Sequence, residues 1–260
     1  MGGNYRKAGV ALLLVALAAG AAGQTMYAVD SGRALFTVDM GTGAKTQVGT
    51  VSTNAGVCGG LAADLANSIV YLTSTSLDSL FTLDLATGTA TLVGLYGDSA
   101  VVMHGLEYDS STGILYGVSS HNNGLYNINK TTGLATLIGT SGLTSFTNLG
   151  YNSDTDVMYA SNSGADSFYT MNRATGATTL IGPLSGPTNP NGLAYNFDND
   201  TMYLIDNSTD NFYSVNLSTG AATLIGPMGS GNLLGLVYIP EPATLATLGV
   251  ALALFAGRRR

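Results

Sequence analysis

The chain has 260 residues, 45% of them hydrophobic and 10% charged, so it can bury a large core as one large β domain or two small ones. Its 35 glycines suit many short strands and tight turns, and its single cysteine, Cys58, excludes a disulfide within the chain. The net charge is −7, and between the two ends only Arg33, Lys45, Lys130 and Arg173 are basic, against fifteen acidic side chains. Such a surface repels phosphate, so we expect no nucleic-acid partner.

Residues 1–23 have the features of a secretory signal peptide. Arg6 and Lys7 supply the positive start, and residues 8–19 form an apolar stretch of 12 residues, too short to span a bilayer comfortably. Small residues at 21–23 favour cleavage before Gln24. We therefore expect a signal helix here and a mature protein that leaves the cytoplasm.

From Gln24 onwards a single pattern recurs with a period of 43 to 45 residues. One equivalent position is always tyrosine: Tyr27, Tyr71, Tyr116, Tyr159 and Tyr203. A unit such as residues 191–226 contains four short runs rich in Tyr, Val, Ile, Leu, Phe and Thr, which predicts four short strands in an antiparallel meander. A fixed period of this length with four strands per unit is typical of a β-propeller blade.

The turn between the third and fourth strands has its own signature. Each repeat places Asp or Asn four residues before a glycine that follows a threonine; the acidic or amide residues are Asp39, Asp84, Asn129, Asn172 and Asn216. Such a side chain can accept the backbone N–H two residues on, and the glycine supplies the positive φ that leads into the next strand. We interpret this turn as structural rather than as a binding motif.

The two ends of the repeat array complement each other. The first repeat begins at its second strand, whereas residues 235–238 form a first strand that no repeat follows. We predict that this strand pairs with residues 26–30 and closes an all-β, five-bladed β-propeller of four-stranded antiparallel blades over residues 24–238. The run of each blade resembles exported NHL-like and YVTN-like propellers, a resemblance that implies a fold and no particular activity.

Residues 239–260 form a different kind of segment. Pro240, Glu241 and Pro242 precede an apolar stretch, residues 245–257, and the basic terminus follows: Arg258, Arg259 and Arg260. This three-part tail resembles the PEP-CTERM sorting signal. Tails of this kind are also labelled as the C-terminal domain of ice-binding proteins, a label that by itself predicts no ice binding.

The resemblance implies several properties of the protein. It implies a Gram-negative bacterium in which an exosortase recognises the tail and cleaves near the two prolines. It also implies a cell-envelope or exopolysaccharide-matrix location, after transient anchoring in the inner membrane through a short C-terminal hydrophobic helix. The alternative is an anchor that is never cleaved, with the three arginines on the cytoplasmic side.

Residues at the start of each first strand should line one mouth of the central channel. His104, Glu107 and Asn191 are the polar candidates for a ligand site there. Glycoside hydrolysis needs two carboxylates that flank one bond, and Glu107 is a single acid, so we expect no enzyme. Two histidines and one cysteine offer no zinc-site spacing, and no phosphate loop or nucleophile elbow occurs, so we expect no metal and no cofactor.

Two acidic turns leave a calcium site open as an alternative. Their oxygen-bearing side chains stand at alternate positions, Asn152, Asp154 and Asp156 in one turn and Asn196, Asp198 and Asp200 in the other. No downstream Glu completes a calcium loop, and Asp and Asn are favoured in turns in any case.

Three functional hypotheses follow. The first is an exported, non-catalytic propeller that binds or organises envelope or exopolysaccharide components. The second is a polysaccharide-acting hydrolase or lyase at the channel, centred on Glu107 and His104. The third is a purely structural surface protein whose Thr-rich outer strands pack against neighbouring molecules.

Overall fold

The computed structural model describes residues 24–99 and 101–240, which form an all-β structure with one short 3-10 helix, Thr53–Ala55. The expected signal helix and C-terminal hydrophobic helix fall within residues 1–23 and 241–260, outside the described residues. Within the described part, no helix has the length and hydropathy needed to cross a bilayer.

Within these described ranges, twenty strands form five four-stranded antiparallel sheets, which are the five blades. The blades are listed from the inner strand outwards. Blade 1 contains β20 (Leu233–Ile239), β1 (Thr25–Asp30), β2 (Ala34–Val38) and β3 (Lys45–Thr50). Blade 2 contains β4 (Cys58–Asp64), β5 (Ile69–Ser74), β6 (Ser79–Leu83) and β7 (Ala90–Leu95). Blade 3 contains β8 (Met103–Asp109), β9 (Ile114–Ser119), β10 (Gly124–Ile128) and β11 (Ala135–Thr140). Blade 4 contains β12 (Phe146–Asn152), β13 (Val157–Asn162), β14 (Ser167–Met171) and β15 (Thr178–Pro183). Blade 5 contains β16 (Pro190–Asn196), β17 (Thr201–Asp206), β18 (Asn211–Val215) and β19 (Ala222–Pro227).

The hydrophobic core lies between the blades. In one cluster, Met26 and Phe36 of blade 1 pack with Ile205 and Phe212 of blade 5. Each of the other four seams has a similar cluster of buried side chains. The three inner strands of each blade therefore bury residues on both faces, which explains why their sequences are rich in β-branched and aromatic residues instead of alternating strictly with polar ones, whereas the outer strand is largely exposed.

The predicted outer turn is confirmed in all five blades. Each Asp or Asn side chain accepts backbone N–H bonds from the residues two and three positions on, at 2.8–3.2 Å. The turn also contacts the preceding blade. A Cβ on Gly133, whose φ is 79°, would lie 2.5 Å from the backbone of Gly94. Glycine is thus required both by the local conformation and by the packing of one blade on another.

The predicted ring closure is also confirmed. β20 pairs antiparallel with β1, with Met26 opposite Tyr238 and Val29 opposite Gly235. At the outer edge, a Cβ on Gly43 of blade 1 would lie 2.8 Å from the carbonyl oxygen of Gly226 in blade 5. The first and last blades therefore meet through the same kind of contact as the other seams, and the ring is closed.

Candidate functional site

The five inner strands line the central channel. β4, β8, β12, β16 and β20 each contact the inner strands of the two neighbouring blades, so together they form a ring around the axis. The expected innermost position of the first strand is therefore confirmed. We call the end of the channel at which these five strands end the exit mouth.

A cavity of about 140 Å³ opens at the exit mouth. All five blades contribute to its wall, which consists of Leu61, Ala63, Leu65, Ala66, Glu107, Tyr108, Ser110, Tyr151, Ser153, Ala194, Tyr195, Phe197, Leu236, Val237 and Tyr238. Most of these side chains are apolar or aromatic. Glu107 is the only carboxylate among them, which makes it the chemical focus of the cavity.

Four tyrosines occupy the same position of successive inner strands: Tyr108, Tyr151, Tyr195 and Tyr238. Their hydroxyls bond to groups around the rim. The Tyr195 hydroxyl lies 2.8 Å from Asp154 of the preceding blade and 2.7 Å from Asp200 of its own blade, and the two carboxylates share its single proton. Burial, followed by the hydrogen bonds to these two aspartates and then by their charges, raises the pKa of Tyr195, so the hydroxyl stays protonated and donates. Tyr195 and Tyr238 therefore join neighbouring blades at the mouth.

The two acidic turns that suggested calcium supply several of these acceptors. Asp156 accepts from Tyr151 at 2.8 Å and Asp198 accepts from Tyr238, as Asp154 and Asp200 accept from Tyr195. Within the described residues, no group of three or more His, Cys, Asp or Glu side chains is placed to hold a metal ion. The acidic turns thus have a structural role in this fold.

Glu107 is half-buried in the wall of the cavity. One carboxylate oxygen accepts the N–H of Tyr108 at 2.9 Å, and the other accepts the N–H of Tyr151 in the next blade at 3.1 Å. Burial raises the pKa of Glu107 to about 8, although these two hydrogen bonds act in the opposite direction. The carboxyl is therefore largely protonated at neutral pH, and its ionised form lacks a compensating charge.

Two cations stand beside the mouth, and both are bound to acids. Lys130 lies 3.3 Å from Asp64 and 4.6 Å from the centre of the Tyr108 ring. Arg173 pairs with Asp109 and Asp156, and its guanidinium lies 5.5 Å from the centre of the Tyr151 ring. Among the described residues, no cation lies within ion-pair distance of Glu107.

The three residues predicted to share one mouth lie at different levels of the channel. Glu107 lines the exit cavity, whereas His104 and Asn191 are each the second residue of an inner strand, towards the opposite end. Asn191 is buried and donates to the carbonyl oxygen of Asn189 at 3.1 Å. Burial lowers the pKa of His104, and its Nδ1 is buried without a described hydrogen-bond partner.

Sequence reasoning did not single out the tyrosines as site residues. Their recurrence in four of the five inner strands was the available signal, and Ala63 in blade 2 is the exception. That exception opens one side of the aromatic ring, where Leu65 and Ala66 form an exposed apolar rim. Cys58 is fully buried, and burial raises its pKa to about 12, so its thiol packs as a small hydrophobic side chain.

Of the predicted sorting residues, Pro240 is described and directly follows β20. Glu241, Pro242, Arg258, Arg259 and Arg260 lie outside the described residues. β20 ends at Ile239, one residue beyond the predicted boundary of the propeller, so Ile239 belongs both to the closing strand and to the start of the tail.

Solved structures with similar folds have low sequence identity. A chain from "Crystal structure of Nidogen/Laminin Complex" aligns with a TM-score of 0.59 and 13% identity, over 83% of this chain and 98% of that one. A structural-genomics protein of unknown function from Bacteroides thetaiotaomicron aligns with a TM-score of 0.60 and 15% identity, over 85% and 66%. Catalytically inactive virginiamycin B lyase from Staphylococcus aureus, with quinupristin, aligns with a TM-score of 0.52 and 13% identity, over 82% and 73%. At these identities the likeness concerns the fold alone.

No curated protein sequence matches the chain. Residues 239–260 match the family described as the PEP-CTERM protein-sorting motif. The chain therefore carries, after a closed five-bladed propeller, a PEP-CTERM sorting tail, which implies export and exosortase-mediated sorting to the cell envelope.

Proposed function

We propose that the protein is a non-catalytic binding protein of the envelope or exopolysaccharide matrix of a Gram-negative bacterium, and that the exit mouth is its binding site. The observation that carries this proposal is the open, largely apolar and aromatic cavity in which all five blades meet around one carboxyl group. Rigid strands that hold such a pocket suit recognition of a small group on a larger partner.

The arrangement of acids favours binding over hydrolysis. A glycosidase needs two carboxyl groups on either side of the scissile bond. Glu107 is the only carboxylate in the described wall, and the rim aspartates Asp154, Asp156 and Asp200 are already acceptors for tyrosine hydroxyls. His104 lies towards the other end of the channel and does not line the cavity.

Binding of the organism's own polysaccharide tests the proposal. The full chain is titrated with the exopolysaccharide of the organism that produces it, and binding is followed by calorimetry. Ala66→Trp should weaken binding at least tenfold, because Ala66 is an exposed turn residue at the cavity wall and a large ring there fills the opening. Leu77→Trp is the matched control, since Leu77 is 44% exposed on another turn of the same blade and does not line the cavity.

Two results would contradict the proposal. One is that neither the exopolysaccharide nor any other envelope fraction binds to the wild-type chain. The other is that Ala66→Trp and Leu77→Trp bind as the wild type does, which would place binding outside the exit mouth.

A polysaccharide hydrolase or lyase is the second candidate, and one observation favours it. A carboxyl group with a pKa of about 8 can act as a general acid at neutral pH, and that is the state in which burial holds Glu107. If this activity exists, Glu107→Gln abolishes cleavage of a glycan panel while leaving binding intact. A wild-type protein that cleaves nothing in that panel leaves the binding function as the better account.

A further inference from the structure

We propose that the exit-mouth cavity binds an organic ammonium group, presented by an amino sugar or by a lipid headgroup. This inference rests on the proposed function, because it concerns the same cavity, and it adds the chemical class of the group that enters.

Glu107 has no counter-charge among the described residues. Its two oxygens accept only backbone N–H bonds, and no described cation lies within ion-pair distance. A carboxylate in a half-buried, low-polarity wall is costly to ionise unless a positive charge accompanies it. A ligand cation would supply that charge, whereas an anionic ligand would add a second negative charge to the same small space.

The rim of the exit mouth is negatively charged. Asp154, Asp156, Asp198 and Asp200 stand in the turns that follow the inner strands of blades 4 and 5, and all four bond to tyrosines of the mouth. The protein's own cations at this rim, Lys130 and Arg173, are paired with acids and leave the rim net negative. A cleft lined by one sign of charge concentrates ligands of the opposite sign.

The walls of the cavity are aromatic. Tyr108, Tyr151, Tyr195, Phe197 and Tyr238 surround the cavity. Two of these rings already hold a cation of the protein itself at 4.6 and 5.5 Å from the ring centre, within the range of a cation–π interaction. Aromatic walls suit weakly hydrated ammonium groups, especially methylated ones, better than they suit inorganic cations.

The size of the cavity limits what can enter. A volume of about 140 Å³ accommodates a trimethylammonium group or one sugar ring, but not a folded polymer. The ammonium group must therefore be a terminal or side group of its carrier, with the remainder outside the mouth.

Small ammonium salts test the inference directly. Choline chloride and glucosamine hydrochloride are titrated into the full chain by calorimetry at low salt and pH 7.0, where the amino group of glucosamine keeps its positive charge and a bound cation favours ionisation of Glu107. Glucose and N-acetylglucosamine are the neutral comparison. We expect the two ammonium salts to bind at least tenfold more tightly than the neutral sugars, and the tighter of the two salts identifies the carrier as a headgroup or an amino sugar.

Glu107→Ala is the decisive variant, with an expected loss of at least tenfold in ammonium affinity. The substitution suits the fold, because alanine occupies the equivalent positions in blades 2 and 5, Ala62 and Ala194. Asp84→Asn is the matched control for lost charge, because Asp84 is exposed and outside the cavity wall, and asparagine serves the same turn in blades 3, 4 and 5. That control should bind as the wild type does.

The outcomes separate this inference from the function on which it rests. Equal binding of glucose and glucosamine, or unchanged ammonium affinity in Glu107→Ala, would overturn the ammonium inference. If polysaccharide binding is at the same time lost in Ala66→Trp, the proposed function stands without it. If ammonium salts bind with the expected selectivity but no envelope component does, the cavity chemistry stands and the proposed function fails.

Discussion

At the scale of single residues, Glu107 is where blade 3 departs from the other four. The equivalent inner-strand residues are small or apolar: Ala62, Gly150, Ala194 and Val237. The carboxyl is held by two backbone N–H bonds, yet burial still raises its pKa from 4.5 to about 8. A buried ionisable side chain at a position where the other blades have small or apolar residues is typical of a functional position.

The shifted pKa predicts how stability depends on pH. Below about pH 4.5 the carboxyl is protonated in both the folded and the unfolded chain and has no effect on the difference between them. Between that pH and about 8 the unfolded chain loses the proton first, so the free energy of unfolding falls as the pH rises. We expect Glu107→Ala to remove this decline, which is at most about 1.4 kcal/mol per pH unit. Urea unfolding at several pH values measures it.

Asp84→Asn is again the control for this measurement. Hydrogen bonds from the turn lower the pKa of Asp84 below its usual value of 3.8, so Asp84 stays ionised across the range and should not change the slope. Parallel curves for the wild type and Glu107→Ala would show that the Glu107 carboxyl is not the titrating group.

At the scale of structural elements, the turn between the third and fourth strands connects adjacent blades. In blades 1, 3 and 4 the second residue of this turn contacts the end of the inner strand of the preceding blade. Lys130 of blade 3 pairs with Asp64 of blade 2 at 3.3 Å. The side-chain nitrogen Nδ2 of Asn196 in blade 5 lies 3.4 Å from the sulfur of Met40 in blade 1. A charged residue therefore meets an opposite charge at one seam, and a neutral residue meets a neutral one at another.

This matching predicts the outcome of a double-mutant cycle. Lys130→Met leaves Asp64, which is 1% exposed, without its cation, and should lower the free energy of unfolding by about 1–3 kcal/mol, less than for a fully buried pair because Lys130 is 31% exposed. Adding Asp64→Asn recreates the Asn–Met pair of the blade 5 to blade 1 seam and should restore most of the loss. If the loss of unfolding free energy in the double variant equals the sum of the losses in the two single variants, Lys130 and Asp64 do not interact.

At the scale of the whole molecule, stability depends on closure by β20. This strand supplies hydrogen bonds to β1 and side chains to the core clusters on both sides of blade 1, including Leu236 towards blade 5 and Val237 towards blade 2. The outer strands remain exposed edges, with Leu92, Leu137, Leu180 and Leu224 each 52–60% exposed. Lateral assembly through those strands stays a prediction.

Two truncations test the role of closure. A chain that ends at Pro240 keeps β20 and should unfold cooperatively at about the same denaturant concentration as the full chain. A chain that ends at Gly231 loses β20, opens two core clusters and exposes the edge of β1, so we expect it to aggregate or to lose cooperative unfolding. Circular dichroism and light scattering measure both effects. A stable, monomeric, cooperatively folded chain without β20 would contradict the closure argument.

The amino-acid sequence by itself determined the blade, the number of blades and the closing strand. Those features depend on local and repeated signals: a period of 43 to 45 residues, an Asx turn before a glycine, and a first strand displaced from one end of the chain to the other. The sorting tail could also be predicted from the sequence, because its three parts are adjacent in the chain.

Only the tertiary structure decided which residues share a site. Glu107, Tyr151 and Tyr195 belong to three different repeats, and they line one cavity because the ring brings the same end of every inner strand together around its axis. His104, three residues from Glu107 in sequence, lies outside that cavity because an extended strand carries it towards the other end of the channel. Sequence periodicity shows which residues correspond between repeats. The depth of a residue along the channel and its hydrogen bonds to another blade are set only when the ring has closed.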